Sequence, residues 1–294
     1  MRSQNSITAD GRGRFGPIAA LFSFAAVSML CVSTFAQRVA VLTPERSEQT
    51  EKYSSQLADA LSKKLNILDS DMSHAAFVSV KAERSFNLTN SQARSIGAVT
   101  GTDAFLLVKT GTLRRSSLER DGYYESFVTV FAVNSRTGML AYWNLKSFEA
   151  ATPAASETLL FASVDKIAAG IIGHLEPVGA GGPSSAEPSI EEVPEEGSPL
   201  AKQMRPPAPY KRIKPEYTRQ AYFYNVVATV DAEVDIDGSG TVTGIKIRRW
   251  AGFGLDESVI AAVRRMNWRP AERGGKTLPM RVLLRYNFTK IDKE

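Results

Sequence analysis

ATVDAEVDIDGSGTV at residues 228–242 and LDESVIAAVRRMNWRPA at residues 255–271 decide how the C-terminal third folds. In the first, apolar and polar residues alternate over much of Val226 to Ile236, the period of a strand with one buried face. Asp237-Gly238-Ser239-Gly240 supplies a turn, and Val242 to Arg248 returns as a second strand. In the second stretch Val259, Ile260, Val263 and Met266 recur at helical spacing. Asp256 stands as its N-cap, and Glu257 lies in the first turn, where the helix dipole favours a carboxylate. Trp268-Arg269-Pro270-Ala271 ends the helix, Gly274-Gly275 turns the chain, and Leu278 to Phe288 forms a last strand. Upstream, Pro215-Glu216-Tyr217 leads into a short helical segment reaching Phe223. The expected unit, residues 210–294, is a β-β-α-β three-stranded sheet with a lead-in helix and its final strand on an edge.

Residues 177–209 precede this unit and collapse into Gly, Pro, Ser and Glu. Too few apolar residues remain to offset the entropy of ordering, so a flexible linker is expected. At about 33 residues and roughly 3 Å each it would reach about 100 Å at full extension. Before it, residues 38–176 alternate element types. Strands are expected at Val39–Leu42, Phe77–Val80 and Phe105–Val108, and helices over roughly Glu48–Leu68 and Ser91–Val99, the latter ended by Gly101. A hairpin of Ser126–Val133 and Met139–Phe148 follows, then a helix from about Ser156 to Leu175. The order β-α-β-α-β-β-β-α implies a mixed sheet with helices packed on it, so the chain reads as a mixed α+β protein.

At the N-terminus Arg2, Arg12 and Arg14 precede an apolar run from Ile18 to Val32, closed by Ser33-Thr34-Phe35-Ala36. This is the tripartite export pattern, so residues 1–37 are a signal peptide or an N-terminal membrane anchor. Cleaved or retained through residues 18–36, it places everything after Gln37 in the bacterial periplasm. Leu30 before Cys31 is too bulky for a lipobox. Cys31 is the only cysteine, which excludes a disulfide framework and Cys-based metal sites in the body of the chain.

The net charge of +5 is uneven: residues 205–294 carry 17 Lys/Arg against 10 Asp/Glu. The basic residues alternate with apolar ones along strands, with no stacking aromatics and no helix-turn-helix pattern, so nucleic acid is not an expected partner. Asp235, Asp237, Ser239 and Gly240 mimic the start of a calcium loop, but the closing Glu would fall at Lys246. His74, read between a loop and a strand, and His174, near a helix end, have no partner at metal-ligand spacing. No GxSxG, HExxH, Walker A or GxGxxG stands in a fitting context, so no catalytic, cofactor or metal residue is expected and the chain is read as a non-enzyme.

PEYTRQA, ATVDAEVDIDGSGTV, LDESVIAAVRRMNWRPA and GKTLPM follow, in order and spacing, the pattern of the TonB C-terminal domain, which residues 210–294 resemble. Thr218 stands where that family has a second Pro, and Ala228 where it has Gly. The resemblance implies an outer-membrane receptor or other envelope protein as partner, bound by strand addition to the last strand. Leu278, Met280, Arg281, Val282, Leu283, Leu284, Arg285 and Tyr286 are the candidate partner-binding residues. Arg281 and Arg285 have a second reading there as edge gatekeepers against aggregation. The resemblance also brings in an inner-membrane motor complex, and a second copy of the chain, as a homodimer, is a further candidate partner. Transducers of that family carry Ser and His at S-x3-H spacing in their anchor. Here Ser23, Ser28 and Ser33 lie in or beside the apolar run, and no histidine does.

IGAVTGTDAFLLVKTGTL and SFVTVFAVNSRTGML give residues 38–176 a weaker resemblance to the domain shared by TolB-like, curli-secretion and penicillin-binding-protein-activator lipoproteins. Two functions are left open: an energy transducer for transport across the outer membrane, and a periplasmic scaffold with no energy-transducing role.

Overall fold

The computed structural model describes residues 37–118, 120–175, 190–195 and 197–290. Residues 1–36 of the expected export segment and residues 177–189 and 196 of the expected linker lie outside these.

The N-terminal half runs β1 (Arg38–Leu42), α1 (Glu48–Ser62), β2 (Asn66–Ile67), α2 (Ser70–Ser79), α3 (Asn90–Thr100), β3 (Ala104–Arg115), β4 (Tyr123–Asn134), β5 (Leu140–Ala150), α4 (Pro153–Phe161) and α5 (Val164–Leu175). Its five-stranded sheet has the order β2-β1-β3-β4-β5, parallel where β1 meets β2 and β3, antiparallel from β3 to β5. Ala104 to Val108 is buried without interruption because both faces of the sheet are covered. On one face Val39, Val41, Leu106, Val108 and Val130 meet Tyr53, Leu57 and Leu61 of α1, Leu160 of α4, and Ile167 and Ile171 of α5. On the other, Leu42, Phe105, Leu107 and Phe131 meet Phe77 of α2 and Ala93 and Ile96 of α3.

The C-terminal half runs β6 (Glu191–Glu192), a 3-10 turn at Ala201–Gln203, β7 (Met204–Arg205), β8 (Ala208–Pro209), α6 (Arg219–Phe223), β9 (Ala228–Ile236), β10 (Val242–Arg249), α7 (Leu255–Arg264), β11 (Trp268–Arg269), β12 (Ala271–Arg273), β13 (Lys276–Leu278) and β14 (Met280–Phe288). Its main sheet has the order β10-β9-β14-β6, with β9 central and antiparallel to both long neighbours. The even-numbered residues of β9, Ala228 to Ile236, point into one core with Leu255, Val259 and Val263 of α7.

Several local expectations are corrected. Phe77–Val80 is not a strand: it ends α2, a helix that starts where the Asp69 carboxylate accepts the Met72 N–H at 2.9 Å. A short apolar run does not by itself distinguish strand from helix, and here only Phe77 is buried while Val78 is exposed. His74 therefore sits on that helix. The helix from Glu48 stops at Ser62, and Asn66–Ile67 add to β1 instead. The final helix of this half is two, meeting at 41°. The Ser163 hydroxyl at the joint donates to Leu160 O at 2.6 Å and lies 3.2 Å from the Tyr53 hydroxyl, competing with the helical ladder. Asp256 is not an N-cap, since Gly254, at φ +74°, holds that position with no side-chain bond. The last strand breaks at Pro279, which has no N–H for a ladder, so Leu278 belongs to a β12–β13 hairpin rather than to β14.

The two halves share a core. Trp250, 1% exposed, leaves the end of β10 and stacks on Phe131 at 5.7 Å among Leu42, Phe77, Ile96 and Phe105. Its indole N–H donates to Gly138 O at 3.2 Å. The Asn87 side chain accepts the Thr229 N–H at 2.9 Å and donates to Thr229 O at 2.8 Å and Trp250 O at 2.7 Å. Tyr224 donates to Glu125, which Arg115 also holds. The C-terminal half thus covers the part of the sheet that α2 and α3 leave bare.

Candidate partner-binding edge

β14 pairs with β9 from Met280↔Ile236 to Phe288↔Ala228 without a register shift. The side chains of Met280, Val282, Leu284 and Tyr286 lean toward the core, the first two buried. Arg281, Leu283 and Arg285 take the opposite face. Of the eight candidate residues, seven therefore share one strand, and Leu278 pairs with Ala271 on the neighbouring hairpin.

Both arginines are anchored. Arg281 binds Asp235 through two nitrogens at 2.6 and 3.0 Å and reaches Glu233 at 3.2 Å. Arg285 grips Asp231 at 2.7 and 3.0 Å. From β10, Arg249 reaches Asp231 at 3.2 Å and Arg248 reaches Glu233 at 2.7 and 2.8 Å. The odd-numbered carboxylates of β9 thus form a row flanked by guanidinium groups on both sides, with two-pronged pairs of the strong kind. The contact with Asp231 raises the Arg285 pKa above its ordinary value, by hydrogen bond first and by charge second. Leu283 stands opposite Glu233 and is 60% exposed, an apolar side chain between two anchored cations.

The backbone of β14 faces two ways. Arg281 O accepts the Val193 N–H, so it points away from β9. The alternation of an antiparallel ladder then turns the N–H and C=O groups of Leu283, Arg285 and Asn287 to that outer side as well. Among the described residues only β6 pairs there, at Met280 and Arg281. Beside the far end of the strand lies a groove of about 720 Å³ lined by Lys214, Tyr217, Arg219, Tyr222, Tyr286 and Phe288 among others. The Tyr217 hydroxyl holds its wall by donating to Val226 O at 2.8 Å, with Ala221 O also within reach at 3.1 Å. Thr218, where the resemblance leads one to expect Pro, caps α6 by accepting the Ala221 N–H and donates to Phe253 O at 2.6 Å.

Asp256 acts elsewhere. Its carboxylate accepts the Ala251 N–H at 2.9 Å and the Gly252 N–H at 2.8 Å. It therefore fixes the loop that carries Trp250 and Phe253 into the N-terminal half. Burial pushes its pKa up to about 7, while those two N–H bonds pull it down. Nothing in helical periodicity pointed to this role. The available signal was a pair of large aromatics, Trp250 and Phe253, in a glycine-rich loop.

The remaining polar candidates are occupied. Asp237 accepts from Ser239 and Thr241 within its own turn, which lowers its pKa, and Asp235 is turned to Arg281. His174 stacks on Tyr142 at 4.2 Å. His74 has its pKa lowered, chiefly by burial and then by Arg46. Among the described residues no three of His, Cys, Asp and Glu converge as metal ligands.

Residues 213–289 match the family described as "Gram-negative bacterial TonB protein C-terminal", about a quarter of the chain. No curated protein matches the sequence. Among solved structures, the C-terminal domain of Pseudomonas aeruginosa TonB is similar at 21% identity, with 30% of this chain and 89% of that one covered and a TM-score of 0.26. A lipoprotein from Neisseria meningitidis is similar at 15% identity, over 45% of this chain and 99% of that one, with a TM-score of 0.31. The C-terminal domain of LpoB from Salmonella enterica is similar at 15% identity over 40% and 85%, with a TM-score of 0.27.

Proposed function

We propose, from the premise that residues 213–289 are a TonB-type C-terminal domain, that this is a cell-envelope protein whose β14 captures an extended segment of another envelope protein. The observation that carries the reading is the outer side of β14, where the backbone groups of Leu283, Arg285 and Asn287 meet no strand among the described residues. Strand addition takes its affinity from such main-chain groups and its selectivity from side chains beside them. Leu283 and the tyrosine-lined groove supply that second part. An outer-membrane receptor is the partner class the family suggests, and transport across the outer membrane is the role that would follow.

The test is a photo-crosslinking side chain at Asn287 of the full chain in its host. An envelope protein is expected in the adduct, and Leu283→Pro is expected to abolish it. That proline removes an outward N–H and leaves the β9 ladder intact, since proline is tolerated on edges. An adduct unaffected by Leu283→Pro refutes capture by strand addition.

The fixed packing of the two halves around Trp250 favours a second reading, a periplasmic scaffold without energy transduction. The N-terminal residue of the mature protein separates the two. A soluble chain beginning at Gln37 has no inner-membrane attachment through its apolar run, whereas one retaining Met1 in the membrane keeps the transducer reading.

A further inference from the structure

The upstream end of the β14 edge already has an occupant. Glu191 and Glu192 run parallel to β14 opposite Met280 and Arg281, and the Val193 N–H donates to Arg281 O at 3.1 Å. Arg273 of β12 pairs with the Glu191 carboxylate. Val193 packs into a notch made by Met204, Ala271 and Met280. The next residue is Pro194, and pairing along β14 ends there.

A strand this short has no stability of its own. The chain after it explains its position: β7 adds to β12 and β8 adds to β11, so residues 204–209 fasten the segment close to the edge. A tethered segment of this kind faces its site at an effective concentration in the millimolar range, whatever its intrinsic affinity. A foreign strand lying along all of β14 needs the carbonyl of Arg281, and Val193 holds that carbonyl.

We propose that residues 190–193 are an internal ligand of the β14 edge, an acidic extended segment with a valine anchor that a partner strand must displace. This rests on the reading of β14 as a strand-addition site. It also defines the partner chemistry: a carboxylate for Arg273 and a β-branched side chain for the Met204–Ala271–Met280 notch, entering parallel to β14.

The experiment uses the full chain and a labelled peptide copying residues 189–195, Ser-Ile-Glu-Glu-Val-Pro-Glu, followed by fluorescence anisotropy. Val193→Pro deletes the donor to Arg281 O, and Glu191→Lys sets a cation against Arg273 as an independent way to release the segment. Thermal unfolding checks that both variants stay folded. If the internal segment competes, both variants bind the peptide about tenfold more tightly than the unaltered chain. Equal binding by all three chains overturns the internal-ligand proposal while leaving strand addition standing. No binding by either folded variant overturns both.

Discussion

Trp250→Ala is the perturbation that most directly tests how the molecule is held together. A buried tryptophan removes roughly 150–250 Å² from water, which at about 25 cal/mol per Å² contributes about 4–6 kcal/mol. Alanine retains a small part of this, and the loss of the indole bond to Gly138 O adds roughly 1 kcal/mol. Observed tryptophan-to-alanine costs in cores run about 3–5 kcal/mol, so about 4 kcal/mol is the expected loss. The larger effect is on cooperativity. Trp250 belongs to the C-terminal half by sequence and to the core of the N-terminal half by packing. With it, the two halves should unfold in one transition. Without it, the C-terminal half should unfold first; Trp268 in β11 reports on that half, and Trp143 in β5, which packs on Phe253 at 5.6 Å, reports on the seam between the halves. Urea unfolding followed by fluorescence and circular dichroism measures both quantities. A variant that still unfolds in one step, with less than about 1 kcal/mol lost, would refute the shared core.

Asp256→Asn should remove a pH dependence. The folded carboxyl, pushed up to about 7, holds its proton more tightly than the unfolded one at its ordinary 3.8. Its contribution to stability is therefore full below about pH 4 and is lost as pH rises through about 7, on the order of 4 kcal/mol. Stability of the unaltered chain relative to the Asn variant should fall across that window, and parallel profiles would refute the assignment. Asp231→Ala frees Arg249 and Arg285 at once and should cost about 2 kcal/mol in chemical unfolding, with little salt dependence because Asp231 is buried. An unchanged midpoint would show the carboxylate row to be ornamental. Gly240→Ala places a Cβ 2.2 Å from Trp268 O at φ +88°, so a loss of about 3 kcal/mol or more is expected. A thermal shift of only a degree or two would contradict that close approach.

The sequence carried the parts of the fold that depend on local spacing. The alternation of β9, the Asp237–Gly240 turn, the stripe of α7 and the β4–β5 hairpin all announce themselves within a few residues of each other. The left-handed Gly101 that ends α3 was equally legible. What failed was local ambiguity or long range. Phe77–Val80 is too short to betray its period, and Ser163 bends a helix that hydrophobic spacing leaves continuous. Glu191–Val193 looks like solvated spacer because its apolar content is low, and its order comes from Arg273 and the notch beside Met280. Trp250 and Asn87 act across more than a hundred residues, and no pattern along the chain encodes that pairing. Of the candidate edge, strand and alternation were readable. The Asp231–Glu233–Asp235 row that fixes Arg281 and Arg285 required the register.

The loop around Trp250 also has a mechanical consequence. Tension applied at Gln37 and resisted by a strand bound along β14 crosses from β1 to β9, and Asn87, Asn90, Trp250 and Tyr224 are among the connections between the halves. The shared core is a joint under load: a pull between the two ends is borne by the packing around Trp250, on which both halves depend.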